Sequence, residues 1–409
     1  MKDKARVGVI GLGGRGMSLL PLLLEMDDVE VAGICDIYQD RVDAALELFK
    51  KARRRKPKTS TDYRAILDIA SIDAVITPSS WTSHARICID AMEAGKYAGT
   101  EVGGATSVEQ CWELVRTSRR TGKPCMLLEN CCYGREELAV LNMVKQGLFG
   151  ELVHAEGGYR HDLREEVCMG RENRHYRLDN YMNRNGDLYP THDLGPIAKY
   201  LDINRGNRML SLVSVASKSV GLNHWNMMNR GPAHPLSDFK FALGDVVTTI
   251  IKCAHGETIT LFHDTSLPRP YSRANLLQGT KGIWQEDRYG VFFDGKNPKV
   301  ETWMEKWDSL KDYLAQYEHP LWRGFLEEGV KGGHGGMDWL VLRAFLEAVL
   351  AGTDTPIDVY DTASWMSITA LSEESVTMGG MPVPIPDFTD GAWIYRGKSL
   401  KGKYSLDNW

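Results

Sequence analysis

A chain of 409 residues, 43% hydrophobic and 25% charged, has a globular composition and enough length for two domains. A formal net charge of −5 argues against nucleic acid as the main partner, and no run reaches the ~18 apolar residues of a membrane span. Eight cysteines without a C-x-x-C pair read as free, mostly buried thiols, so neither a disulfide framework nor a bound metal is expected. No secretory signal precedes the first apolar run, and the chain reads as soluble.

The first element carries the most information. Val7-Gly8-Val9-Ile10-Gly11-Leu12-Gly13-Gly14-Arg15-Gly16 reads as a strand, a G-x-G-x-x-G turn and a helix start. A second strand follows at 29–34, and then Asp36. Gly11 suits the tight turn, Gly13 the close approach of a pyrophosphate, and Gly16 the packing of helix on strand. The helix N-terminus offers free N–H groups and a positive dipole end to phosphates. Asp36, 20 residues beyond Gly16, is placed to bond a ribose 2′-hydroxyl and to repel a 2′-phosphate. The expected cofactor is therefore NAD rather than NADP.

Up to residue 128 short β-branched runs alternate with amphipathic stretches. Strands are expected at 5–11, 29–35, 73–77, 97–101 and 124–128, and helices at 38–50, 83–94 and 107–120. This is the pattern of parallel βαβ units, hence a doubly wound Rossmann domain over residues 1–128. The basic run Lys50 to Lys56 ends one of these helices and reads as a solvated helix end. Two segments fall at the carboxyl ends of strands, where such sheets bind ligands: Thr77 to His84, with Trp81, Thr82 and Ser83, and Gly99 to Gly104, with Glu101 and Val102.

After residue 128 the pattern changes. A helix is expected at 138–147, then strands at 151–160, 209–217, 245–253, 256–264, 274–279 and 290–294, with glycine in the turns. Successive strands without intervening helices predict an open, largely antiparallel sheet in an α+β domain over 129–409. Helical spacing returns at 338–351 and 362–378. The tail Met381 to Pro386 has proline at every second position and must be extended. The C-terminal helices and this tail are free to pack back on the first domain. An open sheet face also leaves a homo-oligomer open.

The densest polar cluster spans 129–192: Glu129-Asn130, Tyr159, His161, Arg177 and Tyr189-Pro190-Thr191-His192, with His263 to Tyr271 later. Glu129-Asn130 follows the last Rossmann strand, where two domains are expected to meet. Tyr189 and His192, three apart, face one way if a helix begins near Pro190. Hydride chemistry needs a base that takes a hydroxyl proton as hydride leaves the same carbon, and this cluster supplies candidates. Each has a plainer reading: a satisfied structural histidine, a core or edge tyrosine, a surface arginine in the charged run 171–177, a loop tyrosine at 271. Glu136-Glu137, Glu165-Glu166 and Glu373-Glu374 are neighbours and give no acid/base pair of the usual glycosidase kind. No H-E-x-x-H or G-x-S-x-G occurs.

The N-terminal half resembles the Gfo/Idh/MocA oxidoreductase superfamily. Most of the chain resembles glycoside hydrolase family 109, the NAD-dependent α-N-acetylgalactosaminidases. The segments that carry this are Leu128 to Tyr133, Gly147 to Glu151, His154 to Gly157, Tyr189 to His192, Leu201 to Gly206, His263 to Thr265 and Pro270 to Arg273. The resemblance implies that Gly14, Arg15, Asp36, Trp81 to His84, Glu101-Val102 and Asn130 hold NAD. It implies that Tyr159, Arg177, Tyr189, Pro190, Thr191, His192 and Tyr271 surround a sugar. Ordinary dehydrogenases of the superfamily carry Glu-Lys-Pro, whereas this chain has Glu101-Val102-Gly103 and no lysine. It also departs from the hydrolase pattern: Asp193 stands where glycine is more usual, and Gly103-Gly104 where Pro-Ala is.

The resemblance further implies a redox-assisted elimination. The sugar is oxidised at carbon 3, loses the carbon 2 proton and the glycosidic oxygen, adds water and is re-reduced, with NAD regenerated each cycle. His192 is assigned as base at the carbon 3 hydroxyl, Tyr159 as base at carbon 2, with Tyr189, Arg177 and Tyr271 positioning the sugar and Glu129 supporting the cleft. Two other readings stand beside this one: a sugar or cyclitol dehydrogenase that releases NADH, and an NAD-sensing binding protein without turnover.

Overall fold

The computed structural model describes residues 3–296, 306–397 and 402–407. The chain forms two compact units. One comprises Met1–Gly134, Pro320–Ser364 and Gly397–Trp409; the other comprises Arg135–His319 and Trp365–Arg396.

The first unit is built on six parallel strands: β1 (Ala5–Ile10), β2 (Val29–Cys35), β3 (Lys58–Ser60), β4 (Ala74–Thr77), β5 (Tyr97–Thr100) and β6 (Cys125–Leu127). Their order is β3-β2-β1-β4-β5-β6. Helices α1 (Gly14–Glu25), α2 (Gln39–Lys51), α3 (Arg64–Leu67), α4 (Trp81–Glu93) and α5 (Val108–Thr121) connect the strands. The strands read as near-continuous apolar runs because both faces are covered; all four residues of β4 are buried. The strand order reverses between β1 and β4, which sets the ligand crevice at their carboxyl ends. β3 escaped the sequence reading because it is a polar, three-residue edge strand.

The C-terminal return of this unit includes the helices Pro320–Glu328 and Met337–Ala351 and the first turns of Val359–Thr377. It covers β5 and β6. A Cβ on Gly99 would lie 3.1 Å from the Phe345 ring, so the missing side chain is what lets that helix approach. At the sheet edge, the Leu127 N–H donates to Thr362 Oγ1 at 3.0 Å, which satisfies a donor that an edge strand would leave bare. The Arg343 guanidinium grips the Asp28 carboxylate through both nitrogens at 2.7 and 3.0 Å.

The second unit holds a nine-stranded sheet of β7 (Leu152–Arg160), β8 (Met209–Ala216), β9 (Val246–Cys253), β10 (Thr258–Asp264), β11 (Leu276–Gly279), β12 (Gly282–Gln285), β13 (Gly290–Phe293), β14 (Asp308–Ser309) and β15 (Val383–Pro384). The order is β14-β13-β12-β11-β7-β10-β9-β8-β15. Every pair is antiparallel except β7 with β10. In β9 and β10 every second residue is buried, so one face forms the core and the other is open. The proline-rich tail, expected to be extended, adds β15 at the edge beside β8. An edge strand tolerates Pro384, which has no N–H to offer. Helix Thr191–Tyr200 packs on β7, and Gly157 makes the room: a Cβ there would lie 2.5 Å from Asp193 Cβ.

All eight cysteines are free and buried. Among the described residues no helix is long and apolar enough to cross a membrane.

Candidate functional site

Two sites take shape, one in each unit. In the first, β1 runs into the glycine turn and α1 begins at Gly14. Gly11 has φ +108°, and a Cβ on it would strike the Pro78 carbonyl oxygen at 2.6 Å. A Cβ on Gly16 would lie 2.1 Å from the Gly11 oxygen. These two positions admit only glycine. Gly13 and Gly14 differ: a Cβ on Gly14 would meet nothing within 4 Å, and one on Gly13 only the Arg41 guanidinium at 3.5 Å. The turn is thus closed on its inner side and open where a pyrophosphate would lie. The first turn of α1 carries no acidic side chain to spend its positive end. These residues fit a dinucleotide.

Asp36 stands just past β2. Its carboxylate accepts the Leu12 N–H at 2.7 Å and the Tyr38 N–H at 3.0 Å, with Arg41 Nη1 at 3.7 Å. The acid is therefore held against the glycine turn, and each oxygen keeps a second lone pair for a ribose hydroxyl. Trp81 opens α4 and is buried. Gly103, at φ +138°, lies on its indole edge: a Cβ there would be 2.3 Å from Trp81 Cδ1. Proline, whose ring holds φ near −65°, could not adopt this backbone. His84 turns back onto its own loop, with Nε2 3.0 Å from the Ser79 oxygen, and burial pushes its pKa down to about 4. Ser79 and Ser83 share a hydroxyl bond at 2.8 Å, and Thr82 Oγ1 lies 3.2 Å from Ser80 Oγ.

Arg15, Glu101 and Asn130 come together. Arg15 Nη2 is 2.8 Å from Glu101 Oε1, and Glu101 Oε2 accepts the Val102 N–H at 3.2 Å. Arg15 and Asn130 both donate to Asp338, which the sequence reading did not single out. Glu129 is fully buried and accepts the Cys131 N–H at 3.1 Å, capping the turn Asn130–Tyr133.

In the second unit, the proposed sugar residues cluster. Pro190 caps the helix Thr191–Tyr200, and the Tyr189 and His192 rings meet edge to face with centroids 5.0 Å apart. Thr191, the first residue of the helix, is buried. Tyr159, at the end of β7, lies 4.3 Å from Tyr189 and 5.6 Å from His192 by ring centroids. Arg177 is buried, not at the surface; its guanidinium lies 5.0 Å from the Tyr189 centroid and 5.7 Å from that of Tyr159. Its Nε holds Glu166 at 2.8 Å. Burial works against its charge, but the Tyr159, Tyr181 and Tyr176 phenols and Glu166 outweigh this and hold the pKa above its ordinary value. Arg160 and Ser272 exchange two backbone bonds, 3.1 and 2.9 Å, which brings the half-exposed Tyr271 ring to 5.1 Å from His161.

Two histidines that the sequence placed in the polar runs without a role, His161 and His263, join this cluster. His161 Nδ1 is 3.3 Å from the Tyr159 hydroxyl, and its pKa is lowered by burial and then by Arg177. The signal for it was legible: Tyr159 and His161 are two apart on extended chain and share a face. His263, on β10, pairs in parallel register with Tyr159 and is fully buried. Burial first, and Arg177 second, push it down to about 3. The run His263 to Tyr271 was singled out in the sequence, but no role was given to His263 itself. Asp193 is buried against Gly157 of β7, and so belongs to the helix–sheet packing.

The chain is similar to known proteins along its whole length. Residues 5–128 match the model of the oxidoreductase family with an NAD-binding Rossmann fold. Residues 133–395 match the model described as glycosyl hydrolase 109, C-terminal domain. A glycosyl hydrolase family 109 protein of Stenotrophomonas maltophilia is 41% identical over 98% of this chain and 93% of its own length. An alpha-N-acetylgalactosaminidase of Shewanella oneidensis is 43% identical over 96% of this chain and 86% of its own. Among solved structures, a levoglucosan dehydrogenase in complex with NADH and levoglucosan superposes with a TM-score of 0.69. It covers 94% of this chain and all of that one at 19% identity, which speaks to the fold alone.

Proposed function

The chain belongs to glycosyl hydrolase family 109 and is an NAD-dependent glycoside hydrolase, and on that premise we propose that it releases α-linked N-acetylgalactosamine by oxidation at carbon 3, elimination, water addition and re-reduction. The substrate is that of the similar enzymes from Shewanella oneidensis and Tannerella forsythia, 43% and 39% identical. The observation that carries the reading is the pairing of two proton acceptors from different elements. His192 and Tyr159 have ring centroids 5.6 Å apart, a spacing suited to neighbouring carbons of one sugar ring.

Gly11, Gly13, Gly14, Gly16 and Asp36 hold the dinucleotide, with Arg15, Trp81 to His84, Glu101, Val102 and Asn130 around it. NAD, when bound, accepts hydride from carbon 3 and later returns it, so the net reaction is hydrolysis. His192 takes the proton of the carbon 3 hydroxyl. The resulting ketone acidifies carbon 2, and Tyr159 takes that proton as the bond from carbon 1 to the glycosidic oxygen breaks. A fixed positive charge beside a phenol favours its anionic form, which is the part given to Arg177. His161, with Nδ1 3.3 Å from the Tyr159 hydroxyl, orients that hydroxyl. Tyr189 and Tyr271 hold the sugar faces, Pro190 and Thr191 fix the helix start, and Glu129 supports the turn that follows β6.

The test is nitrophenol release from para-nitrophenyl α-N-acetylgalactosaminide, with NAD and after its removal, followed also at 340 nm. NAD-dependent release without NADH build-up is the expected outcome, together with deuterium washout at carbon 2. Stoichiometric NADH with free sugars and no nitrophenol would overturn the reading in favour of a dehydrogenase.

A further inference from the structure

Asp338 lies in the first turn of the helix Met337–Ala351, more than 300 residues from the glycine turn, and its carboxylate takes four hydrogen bonds. Arg15 donates to it through Nη1 and Nη2, both at 2.9 Å. Asn130 Nδ2 donates at 2.8 Å, and His334 Nδ1 lies at 2.7 Å. Asp338, Asn130 and Glu101 are all buried, whereas the His334 side chain is largely exposed. The loop before the helix is wound to permit this. His334, Gly335 and Gly336 have φ of +50°, +65° and +102°, and a Cβ on Gly333 would sit 3.0 Å from Asp338 Oδ2.

The position of the cluster decides its meaning. Arg15 lies in the first turn of α1, Glu101 directly after β5 and Asn130 shortly after β6. Glu101 and Asn130 lie at the carboxyl ends of strands on the β4-β5-β6 side of the switch point, and the Arg15 side chain reaches Glu101 there. Asp36, after β2, serves the other half. A sheet of this order binds one mononucleotide over each half, so the Arg15 cluster belongs to the nicotinamide half. Arg15 is a long, mobile side chain at the phosphate-binding turn, and left alone it would sample many rotamers. Two carboxylates hold it in one place and offset its charge. Burial alone would raise the Asp338 pKa, but His334 and Arg15 hold it well below the usual carboxylate range, so the clamp is ionised at any working pH.

We propose that Asp338 is a positioning residue of the NAD site, supplied by the C-terminal return, which locks Arg15 and Asn130 into one preorganised cluster at the nicotinamide half and presents His334 at its rim. Preorganisation appears as affinity because the bound geometry is prepared in advance. The proposal rests on NAD being the cofactor, and its test reads NAD binding rather than turnover.

The experiment strips the full-length protein of cofactor and titrates NAD by calorimetry, with Asp338→Asn and Arg15→Lys singly and together. Asp338→Asn is expected to weaken NAD by about 10- to 100-fold, the range for losing hydrogen bonds to a charged group. The double variant should be little worse than either single one, because both break the same clamp. NAD affinity within about twofold of the parent in Asp338→Asn, or fully additive losses in the double variant, would overturn the proposal. A second measurement needs no substitution: hydrogen exchange of the unmodified protein with and without NAD. Protection of the exposed segment 331–335 on NAD addition supports the proposal, and unchanged exchange there overturns it. A parent protein that binds no NAD would instead overturn the cofactor assignment on which it rests.

Discussion

Arg177 shows how one side chain can organise a site. It is buried, stacked on two tyrosine rings and paired with Glu166. A lysine would keep the charge but lose the flat guanidinium that covers both rings. Arg177→Lys is therefore expected to lower kcat/KM by about tenfold or more, since a desolvated cation–π contact is worth ~2 kcal/mol; steady-state kinetics, with circular dichroism to confirm the fold, checks this. His192→Ala should cost about 10²- to 10⁴-fold in turnover, the usual worth of a general base, while leaving calorimetric NAD affinity intact. Full activity in that variant would remove His192 from the mechanism. At this scale the sequence was informative about residue identity but not about surroundings. Arg177 sits in a run of charges that reads equally well as surface. Asp338 gave no signal because its partners Arg15 and Asn130 are 323 and 208 positions away.

The element that carries His192 depends on a glycine in its neighbour. Helix Thr191–Tyr200 lies on β7 at Gly157, where a Cβ would come 2.5 Å from Asp193 Cβ. Gly157→Ala should push the helix away and cost about 1–3 kcal/mol, as overpacking does. Asp193→Gly removes the opposing atom, so the double variant should recover most of that loss in urea melts; additive losses would show that the helix and strand do not meet through this pair. Asp193 is thus coupled to the placement of the preceding histidine by packing. The long amphipathic helices and the alternating strands were legible from period alone. β3, β12, β14 and the helices Gly221–Arg230, Leu310–Tyr317 and Pro320–Glu328 were not: strands of two to four residues and helices of eight to ten show too little periodicity, and the sheet or chain neighbours decide their state.

Across the whole molecule, buried titratable groups act in opposite directions on stability. Burial pushes His84, His263 and His319 down to about 4, 3 and 4. Below pH 6.5 the unfolded chain takes up protons that these folded imidazoles refuse, so their contribution falls as pH drops from about 6.5 toward 4, by ~1.4 kcal/mol per unit for each fully engaged group. Asp187 and Glu136 are raised to about 7, chiefly by burial. Their contribution is present at low pH and is lost as pH rises from about 4 through 7. Denaturant melts between pH 4.5 and 6.5 should therefore show a shallower acid loss in His263→Phe and a steeper one in Asp187→Asn. Parallel slopes in parent and variants would contradict both assignments.

The glycine turn, the acid after β2, the parallel and then antiparallel alternation, and the run Tyr189 to His192 were all decided locally. Each needs a particular φ, a period of two or of 3.6, or residues a few positions apart, and a linear chain displays such things directly. The nine-stranded order, the folding back of 320–364 onto the first unit, the burial of Arg177 and the Asp338 clamp were decided only in three dimensions. They join residues tens to hundreds of positions apart, and what brings such residues together is the burial of whole apolar faces, which no short stretch of chain specifies alone.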